Sequence, residues 1–231
     1  MAKKPFVSTS ISYETLEETL DIKPAASSLS IAIPKESEFQ ENRIALTPDA
    51  VGVLVNNGHM VSVEHKAGEG AHFSDSDYAD AGARIIHDKK EIFTSDMIVK
   101  SAPVSDKELP LLSVGQTIIS PIHLPVMKTH ILEKMMEKKV TALSFENLKD
   151  ESGHNPIVRS MSEIAGSAVM LIAGQYLSSA NNGKGMLLGG ISGIPPTKVI
   201  IIGAGIVGEH AARTALAMGA SVKFLITTST N

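Results

Sequence analysis

The feature that most constrains the fold is Gly203-Ala-Gly-Ile-Val-Gly208. It directly follows the apolar run Lys198-Val-Ile-Ile-Ile and opens a stretch of helical periodicity that reaches Ala217. A strand that enters such a turn and leaves it as a helix puts each glycine to a separate use. Gly203 permits the tight turn, and Gly205 lets the backbone approach a pyrophosphate. Gly208 lets helix and strand lie close together. The free N–H groups of the helix's first turn suit a dinucleotide's phosphates. The pattern predicts a β-α-β nucleotide-binding unit whose second strand starts at Ser221-Val-Lys-Phe. An Asp or Glu should close that strand, roughly 20 residues on, to bond the ribose hydroxyls. Leu225 and Ile226 stand there instead.

Upstream, short apolar runs alternate with amphipathic stretches. Strands are predicted near Ser30–Ile33, Met60–Glu64, Ala83–Ile86, Met97–Val99, Thr117–Ser120 and Val140–Phe145. Helices are predicted near Pro48–Asn57, Ser74–Ala81, Asp88–Phe93 and Pro125–Lys138. Thr47-Pro48 is a good helix start and Asn57-Gly58 a good stop. The alternation predicts an α/β fold: a doubly wound parallel sheet, Rossmann- or flavodoxin-like, over residues 28–156. Residues 157–231 read as a linker helix and an incomplete Rossmann domain. Ser160-x-x-Glu163 has the form of a capping box, opening a long apolar helix that runs to about Ser179. Residues 1–27 read as an N-terminal extension, with a short helix at Tyr13, Leu16 and Leu20 and a linker from Pro24.

Composition removes several function classes. The net charge of −4 gives nucleic acid no electrostatic support. The absence of cysteine excludes disulfides, thiol nucleophiles and thiolate metal sites. His59, His65, His72, His87, His130, His154 and His210 have no metal-ligand spacing, so no metal is expected. No run is expected to approach the roughly 18 apolar residues of a membrane span, and no signal peptide is read, so the cytoplasm is the expected location.

Candidate site residues come from position. Ligands of open α/β sheets bind outside the carboxyl ends of the strands. Arg43 lies in the loop after the first strand, Lys100 follows the fourth and His123 the fifth, and Glu146 ends the sixth. The four are expected to converge on one cleft. Arg and Lys suit a carboxylate substrate, and His suits proton transfer near neutral pH. Plainer readings stand beside these. Arg43 could pair locally with Glu41 or Asp49, Lys100 could be a solvated loop end, and His123 could be a hydrogen-bonded, partly buried histidine.

The stretches PKESEFQENRIALTPDAV, DMIVKSAP, SPIHLP, MSEIAGSAVM, NNGKGMLLGGISGIPP and IIIGAGIVGEHAARTALAMGA occur in the order seen in the alanine dehydrogenase and pyridine-nucleotide transhydrogenase family, which the chain resembles from about Ile31 to Ala220. His123, with MSEIAG and GKGMLLGG, favours the alanine dehydrogenase branch. The resemblance implies NAD as cofactor and the oxidative deamination of L-alanine to pyruvate and ammonia. It implies that Arg43 and Lys100 hold the substrate's carboxylate and carbonyl, that His123 is the acid/base group, and that Ser162 meets the cofactor pyrophosphate with Gly203, Gly205 and Gly208. A small-molecule substrate and a homo-oligomer follow, hexameric for the dehydrogenase branch. No membrane partner is implied unless the chain is an α-subunit fragment of a transhydrogenase. A non-catalytic oxo-acid-binding module is a third reading.

The resemblance also implies more strands and a catalytic Asp beyond Ile226, so the chain is expected to be truncated and doubtful in activity. A one-base deletion near the Lys223 codon would convert one coding of the family-like VFDNHLYK into FLITTSTN, the residues from Phe224 to Asn231. A frameshift is the expected origin of that ending.

Overall fold

The computed structural model describes residues 28–37 and 40–226. The helix expected around Tyr13 and the linker from Pro24 lie outside the described residues, as do residues 227–231.

The elements in chain order are β1 (Ser30–Ile33), α1 (Pro48–Asn56), β2 (Met60–Glu64), α2 (Asp75–Asp80), β3 (Arg84–Ile86), α3 (Lys89–Ile92), β4 (Met97–Val99), β5 (Thr117–Ser120), α4 (Thr129–Glu137), β6 (Thr141–Ser144), α5 (Pro156–Leu177), β7 (Lys198–Ile202), α6 (Ile206–Ala217) and β8 (Ser221–Leu225). Strands β1 to β6 form one sheet in the order β3-β2-β1-β4-β5-β6, parallel at every pairing. This is the doubly wound Rossmann order, and its direction reverses between β1 and β4. Strands β7 and β8 form a separate parallel pair.

Both faces of the larger sheet are covered, which is why its central strands read as unbroken apolar runs. Neighbouring residues of one strand serve opposite cores. Ala32 and Ile98 face Ile92, Phe93, Ile131 and Met135. Ile31, Ile33, Met97 and Val99 face Val51, Leu54 and Tyr78. Local signals set the boundaries. Thr47 accepts a hydrogen bond from the Ala50 amide with Pro48 in the first turn, and α1 stops at Asn57 before Gly58, whose φ of +86° suits glycine. Ser74 and Asp77 cap α2 reciprocally.

Three expectations are corrected. The helix predicted from Pro125 begins at Thr129, because Pro125 lies in a separate 3-10 turn, Leu124–Val126, and Met127 is extended. The capping box expected at Ser160 is not one: α5 starts at Pro156, Ser160 donates to the Pro156 carbonyl, and Glu163 pairs with Arg159. Proline fits the first helical turn, where its missing N–H costs nothing. Finally, α5 is long and apolar enough to cross a membrane, with a mean hydropathy of 1.3. Its glycines and alanines dilute the run without breaking it. The helix packs along α6, so closely that a Cβ at Gly166 would lie 2.4 Å from the Val207 carbonyl oxygen.

Candidate functional site

The reversal between β1 and β4 creates a crevice at the carboxyl ends of the two strands. Arg43, Ile44, Ala45, Lys100, Ser101 and Met161 help line a largely apolar cleft there of about 460 Å³. Arg43 and Lys100 thus share one cleft, although each already has a carboxylate partner.

The two pairings differ in kind. Arg43 is half exposed and meets Glu41 through Nε, 2.8 Å from Oε1, and through a second nitrogen, 2.5 Å from Oε2. That contact holds the Glu41 carboxyl below its ordinary value and raises the guanidinium. Lys100 is 2% exposed. Its ammonium donates to Glu36 at 2.7 Å and to Glu108 at 3.1 Å, and both carboxylates are buried. Lys89 approaches Glu108 at 3.2 Å from the surface side. Burial pushes the Glu108 carboxyl up, but the Lys100 charge, the Ser105 amide and hydroxyl, and Lys89 hold it below the ordinary value. The solvated-loop reading of Lys100 therefore fails. The local reading of Arg43, a pair with Glu41, is realised. An exposed pair is worth about 0–1 kcal/mol and exchanges readily, whereas removing one partner from a buried pair costs about 3–5 kcal/mol.

His123 lies elsewhere. It lines a smaller cleft of about 250 Å³ with Ser105, Asp106 and Lys128. Asp106 is held below its ordinary value by His130 and Lys128. The His123 side chain is exposed, and its backbone is left-handed at φ 48°, unusual for a non-glycine residue. Glu146 fixes this turn: its Oε1 accepts the amides of Ile122 and His123 at 2.9 and 2.8 Å. The His123 Nδ1 is 3.8 Å from the same oxygen, beyond a hydrogen bond. Thus the four groups expected to converge separate into Arg43 with Lys100 and His123 with Glu146.

Burial pushes the Glu146 carboxyl up. The Ser144 hydroxyl and the amides of His123, Glu146 and Ile122 outweigh that and bring it to about 2, against an ordinary 4.5. The folded value lies below the unfolded one. The ionised carboxylate therefore stabilises the fold above about pH 4.5, and that contribution is lost as the pH falls through about 2. The expected result is that Glu146→Gln lowers the melting temperature at neutral pH, with the gap narrowing below about pH 4.5. A gap that stays constant with pH contradicts this.

The glycine turn lies beyond α5. Ser162, Gly203, Gly205 and Gly208 line one open cleft with Met170 and Val199. Gly203 has φ +95° and needs to be glycine for its backbone. A Cβ at Gly208 would lie 2.4 Å from the Gly203 carbonyl oxygen. Gly205 differs from both: φ is −74° and a Cβ would meet nothing within 4 Å. Neither its backbone nor its neighbours require glycine, so the space beside it is open to a ligand. No side chain caps the N-terminus of α6. These features fit a diphosphate. The end of β8 does not fit ribose hydroxyls, since Leu225 and Ile226 there are apolar and exposed.

Comparison with known proteins gives the family. Residues 32–165 match the model of the alanine dehydrogenase/PNT N-terminal domain, and residues 168–230 match that of the C-terminal domain. The chain belongs to the alanine dehydrogenase/PNT family. Among curated members it is 39% identical to an alanine dehydrogenase of Methanococcus maripaludis over 196 residues, which cover 84% of this chain and 52% of that protein. It is 36% identical to alanine dehydrogenase 2 of Staphylococcus aureus over 197 residues, 85% of this chain and 53% of that one. The chain spans about half the length of these alanine dehydrogenases. Among solved structures, an L-alanine dehydrogenase superposes with a TM-score of 0.80 at 32% identity, covering 87% of this chain and 61% of that one. A transhydrogenase from Sinorhizobium meliloti superposes at 0.72 and 25% identity, covering 87% and 57%.

Sequence reasoning does not single out Glu36, Glu108 or Lys89 in this alanine dehydrogenase/PNT chain. Glu36 is 64 residues from Lys100 in the chain. The available signal is Lys100 itself: an ammonium directly after a buried strand requires a carboxylate nearby.

Proposed function

We propose that this chain carries the substrate-binding lobe and the start of the nucleotide lobe of an NAD-dependent L-alanine dehydrogenase. The observation that carries the reading is the meeting of Arg43 and Lys100 in one cleft at the reversal of the sheet. The higher identity to the solved L-alanine dehydrogenase than to the solved transhydrogenase supports the dehydrogenase branch.

NAD supplies the hydride acceptor when bound. The chain's own residues do the remaining work. Gly205 leaves room for the diphosphate, the first turn of α6 offers it N–H groups, and Ser162 lines the same cleft. Arg43 releases Glu41 and takes the substrate carboxylate in its place, a bidentate exchange of like for like. Once the Cα hydride has left, a water adds at Cα and ammonia departs, and Lys100 donates to the oxygen that this water brings. His123, on a turn fixed by Glu146, has the right chemistry to take that water's proton and return it in the reverse direction, but it lines the neighbouring cleft, so the role requires the substrate's reacting end to reach it there. The apolar walls around Ile44, Ala45 and Met161 keep bulk water from the two cations.

Calorimetric titration with pyruvate and separately with NADH tests the reading. The full chain is expected to bind both. Arg43→Ala is expected to lose at least roughly tenfold in pyruvate affinity, from one lost charge-assisted contact, and to keep its NADH affinity. Equal pyruvate binding by the chain and the variant overturns the assignment.

A further inference from the structure

The buried charges around Lys100 give it a role different from that of Arg43. We propose that Glu108, together with Glu36, is a positioning residue that commits two of the three Lys100 N–H groups, so that the third is delivered to the substrate's carbonyl oxygen and not to its carboxylate. This rests on the oxo-acid reading above and deepens it.

An ammonium has three donors. Glu36 Oε2 and Glu108 Oε1 each take one, at 2.7 and 3.1 Å. Both acceptors are themselves fixed. The other oxygen of Glu36 accepts the amides of Ser101 and Ala102, at 2.5 and 3.3 Å. The other oxygen of Glu108 accepts the Ser105 amide and hydroxyl, at 3.0 and 2.9 Å. The Lys100 amide extends the sheet ladder to Ile119, so the backbone beneath the side chain is held as well. Among the described residues, Lys100 Nζ has these two hydrogen-bond partners and no third.

The charges are also matched. Lys100 and Lys89 balance Glu36 and Glu108 within one contact network. An arriving carboxylate finds no excess positive charge at Lys100. It finds one at Arg43, whose guanidinium is half exposed and whose partner Glu41 is only two residues away. A neutral carbonyl oxygen asks for one aimed donor and no net charge, which is what Lys100 offers. In the forward reaction that donor meets the oxygen that the added water brings. It transfers no proton, so no bond to nitrogen changes.

The test compares two ligands that differ by one carbonyl. Pyruvate and propionate are titrated into the full chain and into Glu108→Gln. The unaltered chain is expected to prefer pyruvate. Glu108→Gln is expected to lose roughly tenfold of its pyruvate affinity and to keep its propionate affinity, the scale of one charge-assisted hydrogen bond lost. A variant merely damaged in its fold loses both equally, and that result overturns the proposal. Arg43→Ala serves as the opposite control and should weaken both ligands together. If the unaltered chain binds neither ligand, the oxo-acid reading falls and the proposal falls with it. If both bind without preference, only the proposal falls. A second measurement needs no variant. In a 15N-detected side-chain NMR spectrum at neutral pH, the assigned Lys100 ammonium should exchange slowly and should shift with pyruvate but not with propionate. Rapid exchange like that of the surface lysines, or an equal shift with both ligands, overturns the proposal.

Discussion

Replacing Lys100 with methionine is expected to destabilise the larger sheet domain by about 3–5 kcal/mol. Methionine fills a similar volume, so the loss comes from charge. Glu36 and Glu108 would remain buried, and among the described residues the cation left in contact is Lys89, which reaches Glu108 and not Glu36. Urea unfolding of the two proteins at neutral pH measures the difference. A loss below about 1 kcal/mol would mean that water enters and replaces the ammonium, as it does at exposed pairs. The comparison also separates binding from folding. Arg43→Ala, which breaks an exposed pair, is expected to leave the unfolding midpoint almost unchanged.

The second large effect is a contrast between two glycines of one turn. Gly205→Ala is expected to leave stability within about 0.5 kcal/mol, since its φ of −74° suits any residue and its Cβ meets nothing. The same change is expected to weaken NADH binding by at least roughly tenfold, because the methyl occupies the space the diphosphate needs. Gly208→Ala should do the reverse in stability. Its Cβ would press on the Gly203 carbonyl oxygen at 2.4 Å and on Ile201 Cγ2 at 3.3 Å, at a cost of about 1–3 kcal/mol. Chemical denaturation and the fluorescence of titrated NADH read the two quantities separately. Equal stability losses at the two glycines, or an unchanged NADH affinity in Gly205→Ala, would contradict the assignment.

The strands were the most legible elements because burial on both faces writes them as compact apolar runs. β1, β2, β4 and β5 fall on the residues expected. Helix starts were less legible where two signals compete. Pro125 and Pro156 both suit a first turn, but only Pro156 opens a helix. Pro125 sits in a 3-10 turn that ends at the extended Met127, so α4 begins only at Thr129. Of the four groups the strand-end rule expects to converge, Arg43 and Lys100 line one cleft. The rule did not separate them from His123, because it says at which end of the sheet a residue lies and not which crevice it enters. The partners of Lys100 were hidden for another reason. Contacts between Glu36 and residues near 100 depend on which strands are neighbours, and periodicity carries no information about strand order.

Glu36 has a further consequence. It leaves the end of β1, reaches across to the end of β4, and there binds both the side chain of Lys100 and the backbone after it. One carboxylate therefore stitches the two halves of the sheet together at the seam where their winding diverges. The floor of the crevice cannot spread to admit a ligand without tearing that stitch. The walls of the cleft, the loop carrying Arg43 and the first turns of α5 at Ile157 and Met161, lie outside that stitch. The seam is thus braced through a side chain and the backbone at once, at the strand ends that carry the cleft.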